Sequence, residues 1–326
     1  MKRSHNQNKS LIRKRKRRKR ILQRIKLTFH LITTCILFGI AVFLAKDLIL
    51  DHIPREDAAS ISFSTICGYT ADYRADNLSS APDISSENAV IVDTRGSLTD
   101  AEIDTKLAAL ASVNEDIAEI YANKSAYPED LLKALANNQE ITAFAKGYLS
   151  ADGTVKGGIS PDEELQNFPL FLQWDQRWGY APYGRSCIGI AGCGPTCLSM
   201  VIFSLTRDSS ATPDALAAHS MTQGFYTDGV GTDWLFMTDA ASQYGLRARE
   251  LGLDEAVMKQ YLDQGHPIIC AMRAGDFTTA GHFIVLYGYD ENGFMVNDPN
   301  SLERSSRRWD FDTLRYQIKN LWGYSL

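Results

Sequence analysis

The sequence is poor in cysteine: six residues among 326, with no CxxC pair and no HExxH. A disulfide scaffold and a thiolate zinc site are therefore both weakly supported. Internal repeats and a glycine-rich phosphate loop are also missing. Acidic residues are absent from positions 1–26, which hold 13 of the 34 Lys and Arg, including the run RKRKRRKR at 13–20. The rest of the chain carries 21 basic residues against 39 acidic, a net of −18, so the formal total of −5 conceals a basic tail on an acidic body. Nucleic-acid binding by such a body is disfavoured.

Asp, Glu, Lys and Arg are all missing from residues 27–45, LTFHLITTCILFGIAVFLA. A bilayer-spanning helix needs ~20 apolar residues, whereas the core of a cleaved secretory signal has only ~7–15. No small-x-small cleavage site follows, since Ala45 leads into Lys46 and Asp47. The expectation is one uncleaved transmembrane signal anchor, with the basic tail 1–26 in the cytoplasm and the body outside. This makes a single-pass protein of the plasma membrane. Residues 46–90 are polar and weakly periodic and read as a linker.

Residues 91–160 read as a helical preface. Thr99 and Glu102 form a capping-box pattern, and Ile103, Leu107, Leu110, Ile117 and Ile120 recur as one helix face. A second helix is expected from Tyr127-Pro128, with Pro in its first turn and Leu131, Leu132 and Leu135 inward. Ile141, Phe144 and Tyr148 suggest a short third helix. Packing explains these residues without any chemistry.

Residues 161–326 have a different texture. Strand-like runs appear at PLFL (169–172), HPIICAM (266–272), HFIVLYGY (282–289) and GFMVND (293–298). Helix patterns appear in PTCLSMVIFSLT and PDALAAHSM. Helix first and hairpins later indicate an α+β domain.

Within this domain, Cys193 lies between two glycines, followed by Pro195 in a position suited to a first helical turn. A thiol at a helix N-terminus meets free N–H groups and a dipole that favour thiolate. Cys197, four residues on, suits a structural role in the core. Cys187 lacks an obvious helix start behind it, and a disulfide among Cys187, Cys193, Cys197 and Cys270 stays open. A nucleophilic Cys needs a base with something to orient it. His282 opens an apolar strand, and the turn DENG (290–293) returns the chain to bring Asp298 near the same end. The rival readings are a satisfied strand histidine and an Asp-Pro turn. The Cys193 N–H is a natural oxyanion donor, with Gln173 as a second and Gln176 as its alternative. Trp174, Trp178 and Tyr180 line a cleft wall or fill plain core.

The order of PLFLQWDQRWGYAPYG, GCGPTCLSMV, GHFIVLYGYDENG and VNDPNS resembles papain-like cysteine peptidases of the bacteriocin-processing, double-glycine leader peptidase type. It is most similar to the stand-alone branch with a helical preface found on Gram-positive surfaces, over about residues 127–326. The resemblance implies a papain-like fold, Cys193 as nucleophile, His282 as base, Asp298 as orienter and Gln173 as oxyanion donor. Two departures stand out: the 20-residue interval from Gln173 to Cys193 is longer than in the leader peptidases, and no ATP-binding cassette follows. The expected function is a membrane-anchored peptidase cutting a peptide or protein substrate at the cell surface, with no cofactor. The alternatives are a peptidoglycan stem-peptide hydrolase with the same residues and a non-catalytic surface binding module on the same fold.

Overall fold

The computed structural model describes residues 97–326. The tail, membrane anchor and linker expected at 1–26, 27–45 and 46–90 lie outside the described residues. Among the described residues, no helix is long and apolar enough to cross a membrane.

The Thr99 capping box forms and starts α1 (Asp100–Ala111), with the Thr99 N–H donating to Glu102 Oε2 at 2.7 Å. The apolar face expected to run on through Ile120 is broken. Asn114 accepts the Ile117 N–H at 3.0 Å and opens a separate helix, α2 (Glu115–Ala122). Its short polar side chain satisfies an orphan donor that only a helix start presents, which outweighs the continuing periodicity. In α3 (Glu129–Asn137), Pro128 stands at the N-cap, not inside the first turn as expected. A 3-10 turn, Gln139–Ile141, and α4 (Thr142–Gly147) complete the preface helices. Leu107, Ile117, Ile120, Leu131, Leu135 and Phe144 form one core that also takes in Tyr180 and Cys187 from downstream.

After α5 (Pro161–Glu164), the run PLFL is not a strand, contrary to expectation. Its two ends are tied by other partners: Asn297 Nδ2, at the end of β8, donates to the carbonyls of Phe168 and Pro169 at 3.4 and 3.1 Å. The Gln173 N–H donates to the Pro299 carbonyl at 2.7 Å. These bonds replace a ladder in which Pro169 could not donate. A small hairpin of β1 (Pro182–Tyr183) and β2 (Ser186–Cys187) leads through α6 (Ile188–Ala191) into α7 (Cys193–Thr206) and α8 (Pro213–Thr222). A second small hairpin, β3 (Tyr226–Thr227) with β4 (Gly231–Thr232), precedes α9 (Phe236–Gln243).

The remaining elements are β5 (Arg247–Glu250), α10 (Glu255–Leu262), β6 (Ile268–Met272), β7 (His282–Asp290), β8 (Gly293–Asn297), α11 (Leu302–Ser306), β9 (Arg308–Trp309), α12 (Phe311–Gln317) and β10 (Ile318–Ser325). Their strands make a six-stranded antiparallel sheet in the order β5-β10-β6-β7-β8-β9. Alternation along a strand assigns its two faces. Ile269, Ala271, Phe283 and Val285 join the core of α7, α8 and α9. Ile268, Cys270, Ile284 and Leu286 join Met258 of α10 and Leu314 of α12. Helices thus cover both sheet faces, which is why β6 and β7 read as near-continuous apolar runs. The fold is mixed helix and sheet.

Candidate active site

Cys193 is the first residue of α7, with Gly192 at the N-cap. Its N–H is one of the four at a helix start that have no intrahelical partner. The glycines beside it are set by packing. A Cβ on Gly192 would come within 2.6 Å of the Ile188 carbonyl, and one on Gly194 within 2.8 Å of Thr232 Oγ1. The turn into the helix and the β3–β4 hairpin therefore close tightly around Cys193, which keeps partial exposure.

His282 begins β7 opposite Met272, and Asp298 follows the last residue of β8. The β7–β8 register carries a bulge between Leu286 and Gly288, and Asn297 lies opposite Val285. One further step brings Asp298 Oδ1 to 2.7 Å from His282 Nε2. The Cys193 side chain also lies near enough to the imidazole to raise its pKa. With Nε2 on Asp298, Nδ1 is the ring nitrogen left for sulfur. Burial disfavours the imidazolium, but the Asp298 charge and hydrogen bond, with Cys193, outweigh it and hold the His282 pKa up at about 9. Burial likewise disfavours the Asp298 carboxylate, yet the charges of Arg304 and His282 hold its pKa down to about 2.

Arg304 has no counterpart among the residues that sequence reasoning selected. Its Nε donates to Asp298 Oδ2 at 2.5 Å, and the side chain is 1% exposed. Nη1 and Nη2 have no hydrogen-bond partner. A second set of bonds fixes both the backbone and the carboxylate of Asp298. Its N–H donates to Ser305 Oγ at 2.9 Å, and the Asn300 N–H donates back to Asp298 Oδ1 at 2.8 Å. The signal that could have found Arg304 is a cation six residues past a candidate orienting Asp, after the Asp-Pro turn.

Gln173 is buried and lies on the turn before Cys193, donating through Nε2 to the carbonyls of Gly189 and Ile190 at 3.0 and 3.3 Å. Its Oε1 is buried without a partner. Gln176, the alternative, reaches away to the Ala143 carbonyl at 3.4 Å. Trp178 is fully buried, and Trp174 Nε1 donates to the Asn300 carbonyl at 3.2 Å.

The four described cysteines are all free. Cys187 does have a helix start behind it, as N-cap of α6, which the sequence reading did not expect. Burial pushes its thiol up to about 11, and burial raises Cys197 and Cys270 further. Cys193 alone among them is partly exposed, and it alone acts on the His282 imidazole. Among the described residues, no group of three or more His, Cys, Asp or Glu is arranged to hold a metal ion.

Residues 165–325 match the model of the Peptidase_C39 like family. No curated protein matches the chain. Among solved structures, the peptidase domain of Streptococcus ComA, a bi-functional ABC transporter involved in quorum sensing, is 21% identical. That match covers 41% of this chain and 89% of that one, with a TM-score of 0.31. The peptidase domain of Streptococcus mutans ComA is 23% identical over 39% of this chain and 88% of its own, with a TM-score of 0.27. A C39-like peptidase from Bacillus anthracis is 17% identical over 50% and 96%, with a TM-score of 0.30. The matched segment 165–325 contains Gln173, Cys193, His282 and Asp298 and resembles a C39-type peptidase domain.

Proposed function

We propose that the chain is a membrane-anchored, extracytoplasmic cysteine peptidase of papain-like fold, hydrolysing peptide amide bonds through Cys193, His282 and Asp298. The observation that carries this reading is the 2.7 Å bond from His282 Nε2 to Asp298 Oδ1, on an imidazole whose pKa is also raised by a partly exposed thiol at a helix start. The anchor and the outside location rest on the uncharged stretch 27–45 behind a 13-residue basic excess.

The chemistry follows from the groups present. The Cys193 thiol gives its proton to His282 Nδ1, and its sulfur attacks the scissile carbonyl carbon, forming a C–S bond while the carbonyl electron pair moves onto oxygen. The Cys193 N–H donates to that oxyanion. Gln173 is the second donor once Nε2 turns from the Gly189 and Ile190 carbonyls. Collapse breaks the C–N bond, and His282 Nδ1 gives its proton to the departing amine. Water then attacks the thioester while His282 takes its proton, and the C–S bond breaks to release the acid. Asp298 keeps Nε2 protonated and the ring aimed throughout.

A cysteine-directed activity probe on the purified full chain tests the reading. Labelling should be confined to Cys193 and vanish in Cys193→Ala. Once a substrate is found, Gln173→Ala should lower kcat about 10²–10³-fold, the scale of one lost oxyanion donor. His282→Ala should cost more, and Asp298→Asn should fall between them. Loss of labelling in Cys187→Ala but not in Cys193→Ala would overturn the assignment.

A further inference from the structure

The turn that carries Asp298 is held from outside the matched domain. Glu140, in the 3-10 turn Gln139–Ile141 of the preface, places its carboxylate on the start of α11. Glu140 Oε1 accepts from Ser301 Oγ at 2.5 Å and from the Glu303 N–H at 3.4 Å, while Oε2 accepts from the Leu302 N–H at 2.6 Å. Its neighbour Asn138 is buried and works at both ends. Asn138 Oδ1 accepts the Glu140 N–H at 2.9 Å, and Nδ2 donates to the Asn300 carbonyl at 2.6 Å. The separation in sequence exceeds 160 residues, so local propensity does not create this contact.

What Glu140 grips is the support of the histidine. Ser301 Oγ, donating to Glu140, accepts the Arg304 N–H at 3.0 Å and so fixes the first turn of α11. That turn presents Arg304 Nε to Asp298 Oδ2 and Ser305 Oγ to the Asp298 N–H. Asp298 Oδ1 is then left facing His282 Nε2. The path from Glu140 to the imidazole runs through hydrogen bonds without a gap. Most of its members are buried polar groups, for which a lost partner is costly and a displaced one is felt by its neighbours.

We infer that Glu140 is a positioning residue for the Cys193–His282–Asp298 site, acting through the α11 turn that holds Asp298. The inference rests on the reading of those three residues as a peptidase triad. It also makes the preface part of the working enzyme, with the functional unit beginning upstream of residue 165.

The test is the rate at which iodoacetamide alkylates Cys193 in the purified full chain, followed by mass spectrometry across pH. Near pH 9.5 every accessible thiol is largely ionised; near pH 6 reactivity depends on the imidazolium that Asp298 holds. Glu140→Ala should therefore slow alkylation at about pH 6 by about tenfold, one pKa unit on the pair, and leave the rate at about pH 9.5 unchanged. Cys187, Cys197 and Cys270 should stay protected, which a general loosening of the fold would not allow. An unchanged acid limb in Glu140→Ala overturns the inference. If that variant exposes the buried thiols, Glu140→Gln, which keeps one acceptor oxygen, decides. A weakened acid limb with buried thiols protected supports positioning, and a wild-type limb overturns it. A wild-type profile already identical to that of His282→Ala would instead dismiss the Cys193–His282 pairing on which the inference stands.

Discussion

At the residue scale, the site concentrates three charged groups where water is excluded. Asp298 is fully buried between Arg304 and His282, and such a cluster is stable only while every member keeps its partners. The His282 pKa is raised, so its pairing stabilises the fold fully below the unfolded value of 6.5 and is lost as pH rises through about 9. Asp298 runs the other way: its contribution is present above 3.8 and is lost as pH falls through about 2. Urea unfolding of wild type and Asp298→Asn should therefore show a stability gap that narrows as pH rises from 6.5 through about 9. The part owed to Arg304 should persist throughout. A gap that stays constant across this window would mean that His282 is uncharged in the folded chain.

At the element scale, the approach to Cys193 is shaped by a preface aromatic. Phe144 stacks on Tyr180 with centroids 4.6 Å apart, and Tyr180 Oη donates to the Phe144 carbonyl at 3.0 Å. The same ring lies so close to Gly189 that a Cβ there would meet it at 2.3 Å. Phe144→Ala should therefore destabilise the chain by about 3–5 kcal/mol, the usual cost of a large aromatic cavity. Gly189→Ala should cost about 1–3 kcal/mol through overpacking. Combining them should be less costly than their sum, since the cavity admits the new methyl. Denaturant midpoints of the four proteins check this, and strict additivity would show that Gly189 relaxes elsewhere.

At the scale of the whole molecule, the preface and the matched domain share a core in which Leu107, Ile117 and Leu135 pack with Tyr180, Cys187, Trp174 and Ile190. A chain lacking residues 97–150 leaves that apolar surface and the α11 turn uncovered. It should lose cooperative unfolding, bind a hydrophobic dye, and admit alkylating reagent to Cys187, which is 4% exposed in the intact structure. A truncated chain that unfolds as sharply as the full one, with Cys187 still protected, would separate the preface from the fold.

What the sequence determined by itself is whatever depends on neighbours along the chain. The Thr99 capping box, the helix beginning at Cys193 with its glycine cap, and the apolar runs of β6 and β7 each follow from residues within a turn or a strand. So does the return of the chain at DENG, which carries Asp298 back toward His282. Local pattern failed where tertiary bonds replaced it. PLFL reads as a strand but is held by Asn297 and Pro299, while Arg247–Glu250, with three charges in four residues, becomes a sheet edge by pairing with β10. The Arg304 contact with Asp298, the turn of the Gln173 amide toward Gly189, and the Glu140 grip on α11 were decided only by the tertiary structure. Each is a hydrogen bond of one side chain to a group brought near by folding, and such a bond leaves no periodicity in the sequence.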